Sequence, residues 1–207
     1  MSSISIIGLG TMANALAQRA LASGNAVEVI GRDPAKANEL AATLDGATVG
    51  TAGTAPAGDI VILAVPYAAA AEVVSDYGDA LNGKIVIDIT NPANSDLSGF
   101  VTPEGSSGAQ EIAEAAPTGA HVVKAFNTVF ANALSAAEGR SLDVFIAGDD
   151  AQAKAQVSVF IESLGLRPLD AGPLPMAQTL ENAGLLEMNL MNTLNHTNFA
   201  LGITVLD

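Results

Sequence analysis

Cysteine is missing from all 207 residues, which excludes disulfides, thiolate metal sites and cysteine nucleophiles. Aromatic residues are also scarce, at 4% against 49% hydrophobic overall, so any core must be built from Ala, Val, Ile and Leu. That composition suits buried parallel strands covered by alanine-rich helices. No apolar run is long enough to span a bilayer, and no basic, hydrophobic leader opens the chain. A soluble, cytoplasmic protein without a membrane partner is expected. Cations are few as well: eight Lys and Arg against 22 Asp and Glu, for a formal net charge of −14. A general nucleic-acid surface needs clustered Lys and Arg, and this balance argues against one. With so few cations, where each sits carries information. The length fits one well-buried domain, or one domain with a small appendage.

The most informative stretch runs from Ser3 to Leu16, SISIIGLGTMANAL. An apolar run breaks at Gly8, and Gly8, Gly10 and Ala13 form G-x-G-x-x-A at the opening of a helix. Its apolar positions Ala13, Leu16, Ala17, Ala20 and Leu21 recur at helical spacing. Gly8 would allow a tight turn, Gly10 would admit a pyrophosphate close to the backbone, and the small Ala13 would let helix and strand pack closely. The helix N-terminus would then offer free N–H groups to the anion. A second strand, Ala26–Ile30, ends at Gly31. Where an NAD-selective site places an acid to hold the ribose, the chain has Ile30 or Gly31, followed by Arg32 and Lys36. Two of the eight cations thus flank the place of a 2′-phosphate, which points to NADP. Lys36 falls in the first turn of the next helix, where the macrodipole disfavours a cation unless an anion compensates. Asp33 is either the N-cap before Pro34 or, with a small boundary shift, the ribose acid; its place before proline favours the cap.

Further along, Asp59–Val65 (DIVILAV) and Lys84–Ile89 (KIVIDI) read as strands buried on both faces, ending at Pro66-Tyr67 and at Thr90-Asn91-Pro92. In an open doubly wound sheet, ligands lie outside the carboxyl ends of the strands. Val65, Pro66, Tyr67, Thr90, Asn91 and Pro92 are therefore candidates to line a cofactor cleft. An edge strand is expected near Ala47–Val49 and a helix over Ala68–Tyr77. A polar connection runs from Ala93 to Gly105, and a helix capped by Ser107 runs to about Ala116. The strand His121–Ala125 leads into Phe126-Asn127-Thr128 and a helix through Ala137. Another strand, helix, strand unit spans Asp143–Ala171, with Gly165 at the helix C′ position. The remainder, from Met176 to about Ile203, is expected to be mostly helical. Lys124 sits in an otherwise apolar strand two residues before a ligand-facing turn. It is either a desolvated functional cation or a side chain snorkelling to the sheet edge. His121 on its strand and His196 in the last helix are read as structural or surface residues. Glu181 and Glu187 are read as a solvated helix face. The Leu- and Met-rich last helix carries more apolar residues than one face requires, and a homodimer is expected.

Five blocks, GLGTMANAL, GRDP, DITNP at 88–92, GAHVVKAFNT at 119–128 and GLRPLDAGPL at 165–174, together resemble the NADP oxidoreductases dependent on coenzyme F420. They also resemble the soluble N-terminal domain of the six-transmembrane metalloreductases. The resemblance implies an α/β protein with a Rossmann-type, doubly wound, mostly parallel sheet, helices on both faces and a small C-terminal α/β extension. Residues 1–140 would form the NADP-binding domain, and 141–207 would pack on it and complete a substrate pocket. The implied activity is hydride transfer between NADPH and a small-molecule redox substrate, with coenzyme F420, FMN or FAD as candidate acceptor. By position, Gly8, Leu9, Gly10, Thr11 and Met12 would hold the pyrophosphate. Arg32, Lys36 and Thr11 would hold the 2′-phosphate, and Val65, Pro66, Asn91 and the Phe126, Asn127, Thr128 turn would surround the nicotinamide ribose. The family places serine or another small hydroxyl just before the arginine; Gly31 here lacks that contact. Direct hydride transfer needs alignment more than an acid or base, so no catalytic side chain and no metal site is predicted. Two other readings stay open: a non-catalytic NADP-binding redox sensor, and an enzyme like the β-hydroxyacid dehydrogenases or imine reductases.

Overall fold

The computed structural model describes residues 1–136 and 141–206. Strand β1 (Ser3–Ile7) leads through helix α1 (Thr11–Ala22) to β2 (Ala26–Gly31), α2 (Pro34–Ala42), the short edge strand β3 (Thr48–Thr51) and β4 (Ile60–Leu63). Then follow α3 (Tyr67–Tyr77), β5 (Ile85–Asp88), α4 (Gly108–Ala115), β6 (His121–Lys124) and α5 (Ala131–Ala136). The chain finishes with β7 (Asp143–Gly148), α6 (Ala151–Ser163), β8 (Arg167–Gly172) and α7 (Ala177–Leu194). All eight strands join one sheet in the order β3-β2-β1-β4-β5-β6-β7-β8. Pairing is parallel except between β6 and β7. The strand order reverses between β1 and β4, so the crevice outside their carboxyl ends is where such a sheet receives ligands.

The apolar strands sort their side chains by alternation. Ile4 and Ile6 of β1, Ile60 and Ile62 of β4, and Ile85 and Ile87 of β5 enter a core shared with α1 and α6. Ile7, Val61, Leu63 and Val86 enter a second core beneath α3 and α4. The doubly wound architecture is the direct consequence: strands apolar on both faces need a helical layer on each. Strands β7 and β8 continue the same sheet beyond β6. Among the described residues no helix is long and apolar enough to cross a membrane.

The elements follow the expected order with small boundary shifts, and two features differ. The last helix stops at Leu194, because Asn195 adopts a left-handed cap with φ 49° and ψ 43°. His196 therefore lies past the helix, and residues 196–206 form a strap. The strap is held by Leu201 N–H donating to Glu187 (3.1 Å), Ile203 N–H donating to Asp143 (2.7 Å), and Phe199 packing edge-on against Phe130. Glu181 and Glu187 are not a solvated face: both point inward and are 1% and 2% exposed. The helix carries leucine outward instead, with Leu186, Leu190 and Leu194 at 54%, 38% and 58% exposed. The predicted helix end at Ala137 and the boundary at residue 140 lie outside the described residues.

Candidate cofactor and active site

The glycine turn joins β1 to α1 at the switch point. Gly8 has φ +128°, and a Cβ there would strike the Ala64 carbonyl, so the turn needs glycine for conformation and for close approach. Gly10 is the N-cap of α1; no side chain caps this helix, and nothing lies within 4 Å of where a Cβ on Gly10 would project. Neighbouring helices behave differently: α2, α4 and α6 are capped by Asp33, Ser107 and Asp150. The free N–H groups and the positive end of α1 thus face open space lined by backbone.

One strand over, Leu9 fills the space beside Gly31, where any Cβ would collide with its side chain. Arg32 and Lys36 follow, both exposed and without an ion-pair partner among the described residues. Asp33 is the N-cap of α2, accepting from the N–H groups of Ala35 (3.0 Å) and Lys36 (3.4 Å). Its carboxylate is therefore committed to the helix.

At the carboxyl ends of β4, β5 and β6 the remaining predicted residues converge. Pro66 opens α3 without a side-chain cap, next to half-buried Val65. The Tyr67 hydroxyl donates to Glu111 on α4, and burial together with that carboxylate pushes its pKa well above the usual tyrosine value. Asn91 and Asn127 form a reciprocal clamp. Asn91 donates to the Asn127 carbonyl (2.8 Å), while Asn127 donates to Asn91 Oδ1 (2.9 Å) and to the Leu180 carbonyl of α7 (2.8 Å). Gly184 lets α7 lie against this clamp, since a Cβ there would run into the Asn91 amide. Pro92 is buried behind it. Phe126 takes φ 60°, and its ring turns into the core against Phe160 (centroids 6.2 Å apart), which leaves only its backbone for the cleft. Thr128 is buried beside it.

Beneath the clamp lies a buried charge cluster. Lys124 is 0% exposed and spends its three N–H donors on Asp88 (2.7 Å), the Thr90 carbonyl (2.6 Å) and Glu181 (2.8 Å). It is a desolvated cation, not a side chain reaching the sheet edge. Asp88 also accepts from Thr90 N–H (2.8 Å), and Glu181 accepts from Gly108 N–H at the start of α4 (3.2 Å). Burial raises the Glu181 pKa, with Lys124 opposing. Glu187 is raised to about 7 by burial, with one N–H from Leu201 opposing. Thr90 is among the cleft residues that the sequence suggests, whereas Asp88 and Glu181 are not. Asp88 had a legible signal, as the lone acid of KIVIDI paired in register with Lys124 on β6. Glu181 had none, because its partner lies 57 residues away. The histidines stand apart: His121 is 3.7 Å from Asp150 at the opposite, amino edge of the sheet.

A doubly wound sheet with an uncapped glycine turn at its switch point defines the dinucleotide-binding class of α/β proteins. A model of the family described as NADP oxidoreductase coenzyme F420-dependent matches residues 3–92. The chain is 30% identical to the F420-dependent NADP reductase of Methanothermobacter marburgensis, over 88% of this chain and 89% of that one. It is 32% identical to the rat metalloreductase STEAP3 over 86% of its own length, but spans only 35% of that protein. Among solved structures, a putative F420-dependent NADP reductase from Arthrobacter sp. FB24 superposes with TM-score 0.87 at 25% identity, covering 99% of this chain and all of that one. The imine reductase of Bacillus cereus shares the fold, with TM-score 0.63 at 21% identity, over 94% of this chain and 61% of that one. The chain belongs to the F420-dependent NADP reductase family and is an NADP-dependent oxidoreductase.

The residues present fit a dinucleotide. The hydroxyls of Thr90 and Thr128 and the Oδ1 of Asn127 are buried without a hydrogen-bond partner among the described residues, next to or within the Asn91–Asn127 clamp. At the other end, Gly10 opens onto free space above the α1 N-terminus.

Proposed function

We propose that the chain transfers hydride between NADPH and a flavin or deazaflavin of the coenzyme F420 kind, the acceptor named for its reductase relatives. The observation that carries the reading is the pairing of an uncapped α1 with two unpaired cations one strand over. In this reading the Gly8–Met12 turn holds the diphosphate, and Arg32, Lys36 and Thr11 hold the 2′-phosphate. Val65, Pro66, Asn91 and the 126–128 backbone bound the nicotinamide ribose, with Thr90 and Thr128 supplying hydroxyls. Tyr67 and Pro92 support this end rather than touch the ring. When bound, the nicotinamide supplies the hydride; the protein's part is to align two rings and exclude water. Residues 141–207 contribute α7, whose inner face closes the carboxyl end of the sheet and shapes the acceptor pocket. The outward leucines of α7 support a homodimer, since 38–58% exposure of three leucines on one helix face is a surface that a second copy would cover.

Stopped-flow oxidation of NADPH by F420, FMN and FAD tests the proposal. Turnover on F420 or a flavin is expected. Tight NADPH binding without turnover on any acceptor would instead favour an NADP sensor.

A further inference from the structure

Among the described residues, buried Lys, Asp and Glu side chains lie at three places: Asp143 against Arg167, Glu187 on α7, and a group of three, Lys124, Asp88 and Glu181, at the carboxyl ends of β5 and β6. Lys124 brings one positive charge, Asp88 and Glu181 bring two negative ones, and all three are enclosed. Glu111 adds another carboxylate through Tyr67. The other described cations lie elsewhere. Arg32 and Lys36 begin α2, and Arg19 binds the carbonyls of Leu134 and Leu164. Lys84 sits by Asp59, Lys154 by Asp170, and Arg167 by Asp143. The cluster sets two carboxyl groups against one ammonium, and burial pushes the Glu181 pKa up while Lys124 opposes. Stability gives no account of it, because a buried ion group rarely holds a fold better than apolar residues of the same volume.

We infer that the Lys124–Asp88–Glu181 cluster is an electrostatic element that favours the oxidised, positively charged nicotinamide over the reduced, neutral ring. The inference rests on the placement of the nicotinamide at the ends of β5 and β6 made above. Oxidised and reduced cofactor share adenosine, diphosphate, both riboses and the 2′-phosphate, and differ by one unit of charge on the ring. Excess buried carboxylate therefore acts on the difference between them. The same field assists the reaction. As the C4–H bond breaks and its electron pair leaves with the hydrogen for the flavin or deazaflavin, positive charge grows on the ring, and fixed negative charge stabilises it. Lys124 is a positioning residue: its enclosed ammonium holds both carboxylates and the Thr90 carbonyl, one residue before Asn91.

Calorimetric titration with NADP+, NADPH and 2′,5′-ADP tests this on the wild-type protein and on Glu181→Gln, which removes one charge at nearly constant shape. The affinity ratio of NADP+ to NADPH is expected to fall roughly tenfold, the effect of a unit charge on the order of 10 Å away at an effective dielectric near 20. Binding of 2′,5′-ADP, which carries no nicotinamide, is expected to stay the same. Asp88→Asn is a second variant with the same expectation. Glu111→Gln, at a part-buried position, should lower the ratio by a smaller factor. An unchanged ratio in any of the three carboxamide variants that still binds 2′,5′-ADP overturns the inference. Failure of 2′,5′-ADP to bind the wild-type protein overturns the cofactor site itself.

Discussion

The two ends of the cleft are built by opposite means. At the β1–α1 and β2–α2 turns everything is local: glycines, a bare helix N-terminus and exposed cations within 30 residues of one another. At the ends of β5 and β6 the essential contacts are long-range, joining Asp88, Lys124 and Glu181 across as many as 57 residues, and they are fully buried. The first end offers backbone N–H groups and surface charge, which water screens and mutation perturbs mildly. The second end fixes geometry with desolvated charge, where losing one member leaves the others without compensation.

The sharpest way to break this contrast is at Gly8, a local position closed by backbone. Gly8→Val should cost about 2–6 kcal/mol, the sum of left-handed strain and overpacking against Ala64, and should be seen as a lowered denaturant midpoint. Lys124→Met should cost about 3–5 kcal/mol at pH 7.5 in the same measurement, because two carboxylates stay buried beside an apolar side chain. A near-neutral result would mean that the cluster is loosely held and the two ends are alike. Glu187 probes the same buried face of α7 by pH. Its folded pKa of about 7 stands above the ordinary 4.5, so its favourable contribution is complete below pH 4.5 and is lost as pH rises through about 7. Wild-type stability should therefore fall by about 3 kcal/mol relative to Glu187→Gln between pH 4.5 and 8, read from paired melting curves. At the exposed end, Arg32→Ala should weaken NADP binding by about 1.5–3 kcal/mol, roughly ten- to hundredfold, with NAD binding and melting temperature unchanged. Equal loss for both nucleotides would remove Arg32 from the 2′-phosphate. The smallest energetic effect belongs to Leu190→Glu, within about 0.5 kcal/mol on the fold of one chain, yet light scattering should show the mass halve.

The local end was legible from the residues alone, and the distant end only in part. Gly8, Gly10, Asp33-Pro34 and Arg32 could be placed because turn, cap and strand boundary depend on neighbours a few positions away. Lys124 stood out as a lone cation in an apolar strand, but the choice between a functional cation and an edge side chain depended on partners that periodicity does not supply. Glu181 and Glu187 were misread for the same reason. Charged helical residues are solvated by default, and only the packing of α7 onto Asn91, through Gly184, turns that face inward. The C-terminal strap escaped because apolar richness was taken for helix, whereas Asn195 closes the helix and the backbone then finds partners on Asp143 and Glu187.

From the sequence by itself came the doubly wound sheet, the glycine turn and the preference for a phosphorylated dinucleotide, since each follows from patterns that repeat over two to four residues. Tertiary structure decided which acids are buried, how Lys124 is neutralised and how α7 closes the carboxyl end of the sheet. Burial and ion pairing are properties of elements brought together across the chain, and solvent removal, which gives those charges their strength, exists only after the layers have packed.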